Sequence, residues 1–233
     1  MATIPDSQNQ IEISTNIGCK VQCKFCPQDV SMPNYAKKND LEEIKFGNPV
    51  IMSYTTFVKI IEKIPKNVTI RFSGFSEPFL NPDCGKMMKY ASDNGYYIEL
   101  FSTLMGMTLE DVDILKKINL KHFVIHLADN EKYAKIALKQ HNEILKKIIS
   151  LSIKNIFFMT MGTISDETKT IIGMDVKPSI MVDWAGHMEI GEKTKRITGP
   201  IACSMNPSKK NQDIPPIIPV SYTHLTLPTT PYV

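Results

Sequence analysis

Short runs rich in β-branched and aromatic residues alternate along this chain with segments whose apolar residues recur at the helical period. This alternation is typical of βα units, whose strands pair in parallel within one sheet. Six runs have the length and composition of strands. They span residues 11–15, 68–74, 96–103, 121–127, 155–161 and 177–184. We therefore expect an α/β fold with six parallel strands.

Several helices are predicted between these strands. Ser53 is placed to cap a helix whose apolar face carries Phe57, Ile60, Ile61 and Ile64. Such a face is expected to lie on the core of the protein.

Two further helical segments follow later in the chain. Thr108 and Asp111 have the spacing of a capping box at the start of a second helix. Residues 131–150 are interpreted as one or two helices, and the adjacent Met87 and Met88 are expected to fill the core from an earlier one.

Length and composition indicate an ordinary globular protein of one domain plus an appendage. The chain has 233 residues, 42% hydrophobic and 22% charged, which disfavours global disorder. No apolar run approaches the roughly 20 residues that span a bilayer, and the N-terminus does not resemble a signal peptide. The net charge of +3 comes from scattered lysines. We expect a cytoplasmic protein that binds neither membrane nor nucleic acid.

Three of the five cysteines, Cys19, Cys23 and Cys26, lie within eight positions just after the first predicted strand. Cytosolic cysteines stay reduced, so metal binding or redox chemistry is favoured over disulfides. Thiolates suit iron–sulfur clusters, zinc or copper(I). A structural zinc site normally has four ligands, and no second cysteine pair exists here. Three sulfurs would leave one coordination position open, as catalytic metal sites do.

The spacing CxxxCxxC with an aromatic residue, Phe25, before the third cysteine resembles the signature of radical S-adenosylmethionine (SAM) enzymes. The resemblance implies a partial TIM-like (β/α)6 barrel, here over residues 8–190. It also implies that the three cysteines hold a [4Fe–4S] cluster whose fourth iron binds SAM. An electron donor such as flavodoxin or ferredoxin would supply one electron, and the resulting 5′-deoxyadenosyl radical would abstract a hydrogen from the substrate.

Other segments match the SAM-binding positions of the same family. In "FSGFSEP", Glu77 aligns with the acid that receives the SAM ammonium. Such an acid accepts a charge-assisted hydrogen bond from the ammonium group. Phe75 and Ser76 replace the family's glycine pair, and Gly74 is expected to supply the turn instead. Phe25 is expected to lie near the adenine.

Polar residues that end two later predicted strands complete the predicted cofactor site. Ser102 and Thr103 are expected to hydrogen-bond the cofactor, and His126 to contact its carboxylate or ribose. Asp129 is a weaker candidate. No general acid or base can be assigned, because the radical performs the first chemical step.

The C-terminal part resembles the start of a SPASM or twitch extension, interpreted as residues 191–218. Cys203 matches its first auxiliary-cluster ligand, and His187 stands where relatives have asparagine. Further ligands are missing, so no auxiliary cluster is expected in this incomplete extension. Residues 219–233 have the composition of a non-native or disordered tail.

These patterns predict a radical SAM enzyme acting on a peptide, sugar or small molecule that the sequence does not specify. Two alternatives stay open. One is a structural or regulatory module that holds zinc or an iron–sulfur cluster without cleaving SAM. The other is a truncated product that binds the cluster without turnover.

Overall fold

The computed structural model describes residues 10–24, 26, 28–39, 50–74, 76–176 and 178, and two strands beyond them. For residues 28–31, 187–190 and 193–196 it describes the backbone alone.

Strands and helices alternate along most of the described chain, as predicted. The strands are β1 (Gln10–Ile13), β2 (Asn16–Ile17), β3 (Val50–Ile51), β4 (Thr69–Phe72), β5 (Tyr97–Ser102), β6 (Leu120–His126), β7 (Ile156–Met159), β8 (His187–Ile190) and β9 (Lys193–Arg196). The helices are α1 (Gln28–Lys38), α2 (Tyr54–Ile61), α3 (Cys84–Asp93), α4 (Leu109–Leu115), α5 (Leu138–Ser150) and α6 (Asp166–Ile172), and a short 3-10 helix covers Pro78–Leu80.

Five strands form one parallel sheet in the order β1-β4-β5-β6-β7. They correspond to the first five predicted strands, which are therefore confirmed. The sixth predicted strand, 177–184, lies outside the described residues except for Pro178. The fold is α/β, a partial barrel that does not close within the described part of the chain.

The main core lies between this sheet and its helices. Its largest fully buried side chains include Tyr96, Phe57, Phe72 and Phe123. The Tyr96 hydroxyl donates to the carbonyl oxygen of Ile61 at 3.0 Å, so a polar group in the core is satisfied. Met87 and Met88 are also fully buried, which confirms that they fill the core, and Cys84 is fully buried beside them.

The predicted starts of two helices are confirmed. The backbone N–H of Thr56 donates to Ser53 Oγ at 3.1 Å at the start of α2. At the start of α4, Asp111 N donates to Thr108 Oγ1 at 3.2 Å and Thr108 N donates to Asp111 Oδ2 at 2.8 Å, which is a capping box. None of the described helices is long and apolar enough to cross a membrane.

The prediction of helix from residue 131 onward is wrong for residues 131–137. A backbone N–H group that a helix would need donates elsewhere: Lys135 N donates to Val21 O at 2.7 Å. Lys132 also has a φ of +56°, outside the helical region. Helix α5 therefore begins only at Leu138.

Two small antiparallel pairs were not predicted. β2 pairs with β3, which attaches the segment before the cysteines to the start of α2. β8 pairs with β9, and this hairpin crosses the domain boundary predicted at residue 190. The hairpin contains His187, while Cys203 lies outside the described residues.

Candidate metal centre and cofactor site

The carboxyl ends of the parallel strands meet at one edge of the sheet, where the loops that follow them come together. Active sites of α/β barrels form at this edge. The cysteine loop (residues 18–26) follows β1 and β2, and Gly74, Ser76 and Glu77 follow β4. Ser102 and His126 end β5 and β6, and Thr103 directly follows β5. The structure brings these predicted residues to the same edge.

The three clustered cysteines lie on one loop and form no disulfide among the described residues. Cys19 is buried, whereas Cys23 and Cys26 are half-buried. A turn between them is closed by a hydrogen bond from Cys26 N to Cys23 O at 3.0 Å. Phe25, within the same loop, lies outside the described residues.

The environment of Cys19 and Cys23 favours their protonated thiol forms. Burial raises the pKa of Cys23 well above its ordinary value, and the neighbouring charges of Cys26, Cys19 and Glu77 add to this. Burial also raises the pKa of Cys19, although the backbone N–H groups of Val21 and Glu77 act in the opposite direction.

A network of buried hydrogen bonds fastens the start of the cysteine loop to the segment around Glu77. Asn16, fully buried, donates from Nδ2 to the Glu77 carbonyl oxygen at 2.9 Å. Ser76 Oγ donates to Asn16 Oδ1. Thr15 Oγ1 donates to Pro78 O at 3.1 Å, and Asn81 Nδ2 donates to Thr15 O at 3.0 Å.

This network fixes the position of Cys19, only three residues beyond Asn16. Sequence patterns did not single out Asn16, Thr15 or Asn81. For Thr15 and Asn16 the only signal was a polar residue at the end of the first predicted strand, and Asn81, which follows the 3-10 helix Pro78–Leu80, had no such signal. In this network the Ser76 hydroxyl donates its hydrogen bond to Asn16.

The Glu77 carboxylate is buried and accepts hydrogen bonds from both sides. Ser102 Oγ donates to Oε1 at 2.7 Å, with Phe79 N at 3.3 Å. Thr103 donates to Oε2 from its backbone N at 2.6 Å and from Oγ1 at 2.7 Å. Burial raises the pKa of Glu77, and these hydrogen bonds only partly oppose the shift.

Gly74 takes the turn after β4 with a φ of +97°. A Cβ at this position would collide with Ser14 Oγ and lie 3.1 Å from Glu12 Oε1. The structure therefore places Gly74 in a turn that only glycine fits without strain. The next residue, Phe75, lies outside the described residues.

Two side chains near the end of β6 carry buried polar atoms without a hydrogen-bond partner among the described residues. These atoms are His126 Nε2 and Asp129 Oδ2. Burial lowers the pKa of His126 to about 4, with a smaller effect from His141, so the imidazole is neutral at neutral pH. A buried polar atom without a partner is costly, and a bound ligand can satisfy it.

Residues 129–137, here called the strap, cross over the cysteine loop. Lys24 N donates to Tyr133 O at 2.6 Å, in addition to the bond from Lys135 N to Val21 O. Ala134 is buried in a small apolar cluster with Cys19, Val21 and Met105. The strap was missed from sequence because its apolar residues fit a helical pattern.

The described His, Cys, Asp and Glu side chains include no group of three or more that could hold a single metal ion. In a [4Fe–4S] cluster each cysteine binds a different iron atom, so three sulfurs can remain apart. The donor set, three cysteines on one loop without a disulfide, has the chemistry that such a cluster requires.

Comparison with known proteins identifies the family of this chain. The sequence profile of the radical SAM superfamily matches residues 13–172, well over half of the chain. No curated protein matches the chain.

Among solved structures, the chain is similar to the crystal structure of BtrN in complex with AdoMet and 2-DOIA. The sequence identity is 14% and the TM-score is 0.47. The match covers 65% of this chain and 56% of that one, so this chain corresponds to little more than half of BtrN. The sequence match over residues 13–172 shows that the chain belongs to the radical SAM superfamily.

Proposed function

We propose that this protein is a radical SAM enzyme in which Cys19, Cys23 and Cys26 bind a [4Fe–4S] cluster. When bound, the cluster supplies one electron for reductive cleavage of SAM, which yields the 5′-deoxyadenosyl radical that abstracts hydrogen from a substrate. The substrate class, a peptide, a sugar or another small molecule, is left open.

Within this proposal, Glu77 receives the ammonium group of SAM. Its carboxylate already accepts two hydrogen bonds at each oxygen, which uses its acceptor capacity. The hydroxyls of Ser102 and Thr103 can rotate, whereas the backbone N–H groups cannot. An arriving ammonium would therefore replace these hydroxyls, which become free to bind the cofactor themselves.

His126 is proposed to face the carboxylate or ribose of SAM. Its Nε2 is buried without a partner among the described residues, and the ring is neutral at neutral pH. A neutral ring can donate or accept according to its tautomer. Gly74 would hold the turn open to the cofactor, and Phe25 would lie near the adenine.

The observation that best supports the proposal is the hydrogen-bond network from Thr15 and Asn16 to residues 76–81. It joins the metal-binding loop to the predicted ammonium site through buried contacts. Burial is the main cause of the raised pKa values of Cys19 and Cys23, and the charge of Glu77 raises both pKa values further. One molecule bound between an iron atom and Glu77 could therefore be held from both ends.

The direct test is anaerobic reconstitution with iron and sulfide, followed by addition of dithionite and SAM. We expect a [4Fe–4S] signal in electron paramagnetic resonance and release of 5′-deoxyadenosine. Replacing Cys19, Cys23 and Cys26 together by alanine should abolish both, with the fold checked by circular dichroism. Tight zinc binding without SAM cleavage would contradict the proposal and favour a structural or regulatory module.

A second test addresses Glu77. Glu77→Gln removes the negative charge, so the dissociation constant of SAM should rise about 10- to 100-fold, the value of a charged hydrogen bond. The matched control is Glu110→Gln, which changes an exposed carboxylate on α4. Equilibrium dialysis with labelled SAM measures both. If folded Glu77→Gln protein bound SAM with the affinity of wild type, Glu77 would not be part of the SAM site.

The remaining proposals follow the sequence analysis. Residues 8–190 are taken as the radical SAM domain, 191–218 as the start of an extension and 219–233 as a tail. A cytoplasmic location, where reduced flavodoxin or ferredoxin is available, would suit the chemistry.

A further inference from the structure

Four lysines are exposed on the two segments that cover the metal-binding face. Lys20 and Lys24 belong to the cysteine loop, and Lys132 and Lys135 belong to the strap. The formal charge of the whole chain is only +3. Four positive charges on two short segments in contact are therefore a local concentration of positive charge.

Backbone contacts hold these lysines on one surface. Lys24 N donates to Tyr133 O at 2.6 Å, and Lys135 N donates to Val21 O at 2.7 Å. Side chains cross the same boundary: Lys24 Nζ lies 4.8 Å from the centre of the Tyr133 ring, and Lys135 Nζ donates to Gln22 Oε1. We call these four lysines the basic patch.

Acidic residues on the same segments do not cancel the charge of the basic patch. Glu131 is exposed, but it is one charge against four, and it accepts hydrogen bonds from Thr163 N at 2.7 Å and from Thr163 Oγ1 at 2.6 Å. Asp129 is buried beneath the strap, where it accepts the hydrogen bond of Tyr133 N. The exposed surface of these segments is therefore positive.

The basic patch lies beside the metal ligands. Lys20 and Lys24 directly follow Cys19 and Cys23, and neighbouring Cα atoms lie about 3.8 Å apart. A protein bound at the patch would approach the cluster closely, which electron transfer requires.

We propose that the basic patch is the docking surface for a small acidic electron-transfer protein of the flavodoxin or ferredoxin kind. The inference rests on the proposed function, because the cluster must receive its electron from outside the chain. The step is a single electron transfer: the reduced donor loses one electron and the cluster gains it. Complementary charges steer such partners together and make association sensitive to salt.

The test compares two reductants in two charge-reversal variants. Lys132→Glu combined with Lys135→Glu reverses half of the basic patch, while the control, Lys116→Glu with Lys117→Glu, reverses two exposed lysines at the end of α4. With reduced flavodoxin, the concentration giving half-maximal 5′-deoxyadenosine release should rise about tenfold in the patch variant, equivalent to about 1.4 kcal/mol. The control should match wild type.

Dithionite is a small reductant that needs no docking surface. With dithionite the patch variant should release 5′-deoxyadenosine at the wild-type rate. An equal loss with dithionite would overturn the proposal, because the lysines would then serve the cofactor or an anionic substrate. Unchanged half-saturation by flavodoxin in the patch variant would also overturn it.

Calorimetry of oxidised flavodoxin binding gives a readout independent of turnover. Binding should weaken in the patch variant and at higher salt, and remain unchanged in the control; equal binding by all three proteins would overturn the proposal. If wild type releases no 5′-deoxyadenosine even with dithionite, the proposed function fails. The calorimetry still decides whether the basic patch binds the donor.

Discussion

At the scale of single residues, Gly74 shows that the turn after β4 requires a residue without a Cβ atom. Its φ of +97° is unfavourable for other residues, and a Cβ would meet Ser14 Oγ on the neighbouring strand end. Gly95 has a similar φ of +86°, but a Cβ there would have no neighbour within 4 Å. Comparing substitutions at the two glycines therefore distinguishes the cost of backbone strain from the cost of a steric collision.

Gly74→Ala should destabilise the protein more than Gly95→Ala. Both changes carry the cost of a left-handed conformation, about 1–2 kcal/mol, and only Gly74→Ala adds a collision. Urea unfolding followed by circular dichroism measures both variants against wild type. Equal losses of unfolding free energy would show that the turn after β4 adapts to a side chain.

At the scale of elements, the strap is fixed to the cysteine loop mainly by backbone hydrogen bonds and by Ala134. The small cluster of Ala134 with Cys19, Val21 and Met105 is separate from the main core. Elements outside the main core open with a low free energy while the rest stays folded. We expect the strap to detach without unfolding the sheet.

Ala134→Glu should release the strap, because it places a carboxylate in an apolar cluster. The amide hydrogens of Lys24 and Lys135, which bond across the boundary, should then exchange about tenfold faster, equivalent to about 1.4 kcal/mol of opening free energy. Ala137→Glu, at an exposed position of the strap, is the matched control. Unchanged exchange in folded Ala134→Glu would show that other contacts hold the strap.

At the scale of the whole molecule, one buried carboxylate links the three central strands. Glu99 on β5 accepts two hydrogen bonds from Arg71 on β4, at 2.7 and 2.9 Å. From β6, Lys121 Nζ and His122 Nδ1 lie 3.5 and 3.3 Å from Glu99 Oε1. A register shift beside Glu99 skips Lys121 in the pairing of β5 with β6, which allows both side chains to reach it.

The charge of Glu99 should make stability depend on pH. Burial alone would raise the pKa of Glu99, but hydrogen bonding and charge from Arg71, with Lys121 and His122, lower it below the ordinary value. An acid with a lowered pKa stabilises the fold above its unfolded pKa, about 4.3 for glutamate, and this contribution disappears as pH falls through the folded pKa.

Glu99→Gln should therefore cost about 1–3 kcal/mol of unfolding free energy at pH 7, and progressively less as the pH falls below about 4. Urea unfolding at several pH values measures this difference, with Glu143→Gln on the exposed side of α5 as the control. A difference that does not change with pH would show that the ionised form of Glu99 is not what stabilises the three strands.

The sequence by itself determined the alternation of strands and helices, the capping of α2 and α4, and the family. These features depend on local periodicity, on residues three or four apart, and on a cysteine spacing within eight positions. Tertiary structure alone decided the rest. Asn16 and Thr15 contact residues 76–81 only after β1 and β4 pair. The strap is not helical because its backbone groups form hydrogen bonds with backbone groups that are distant in the sequence. Periodicity describes one segment at a time, whereas a hydrogen bond across more than 60 positions exists only in the folded chain.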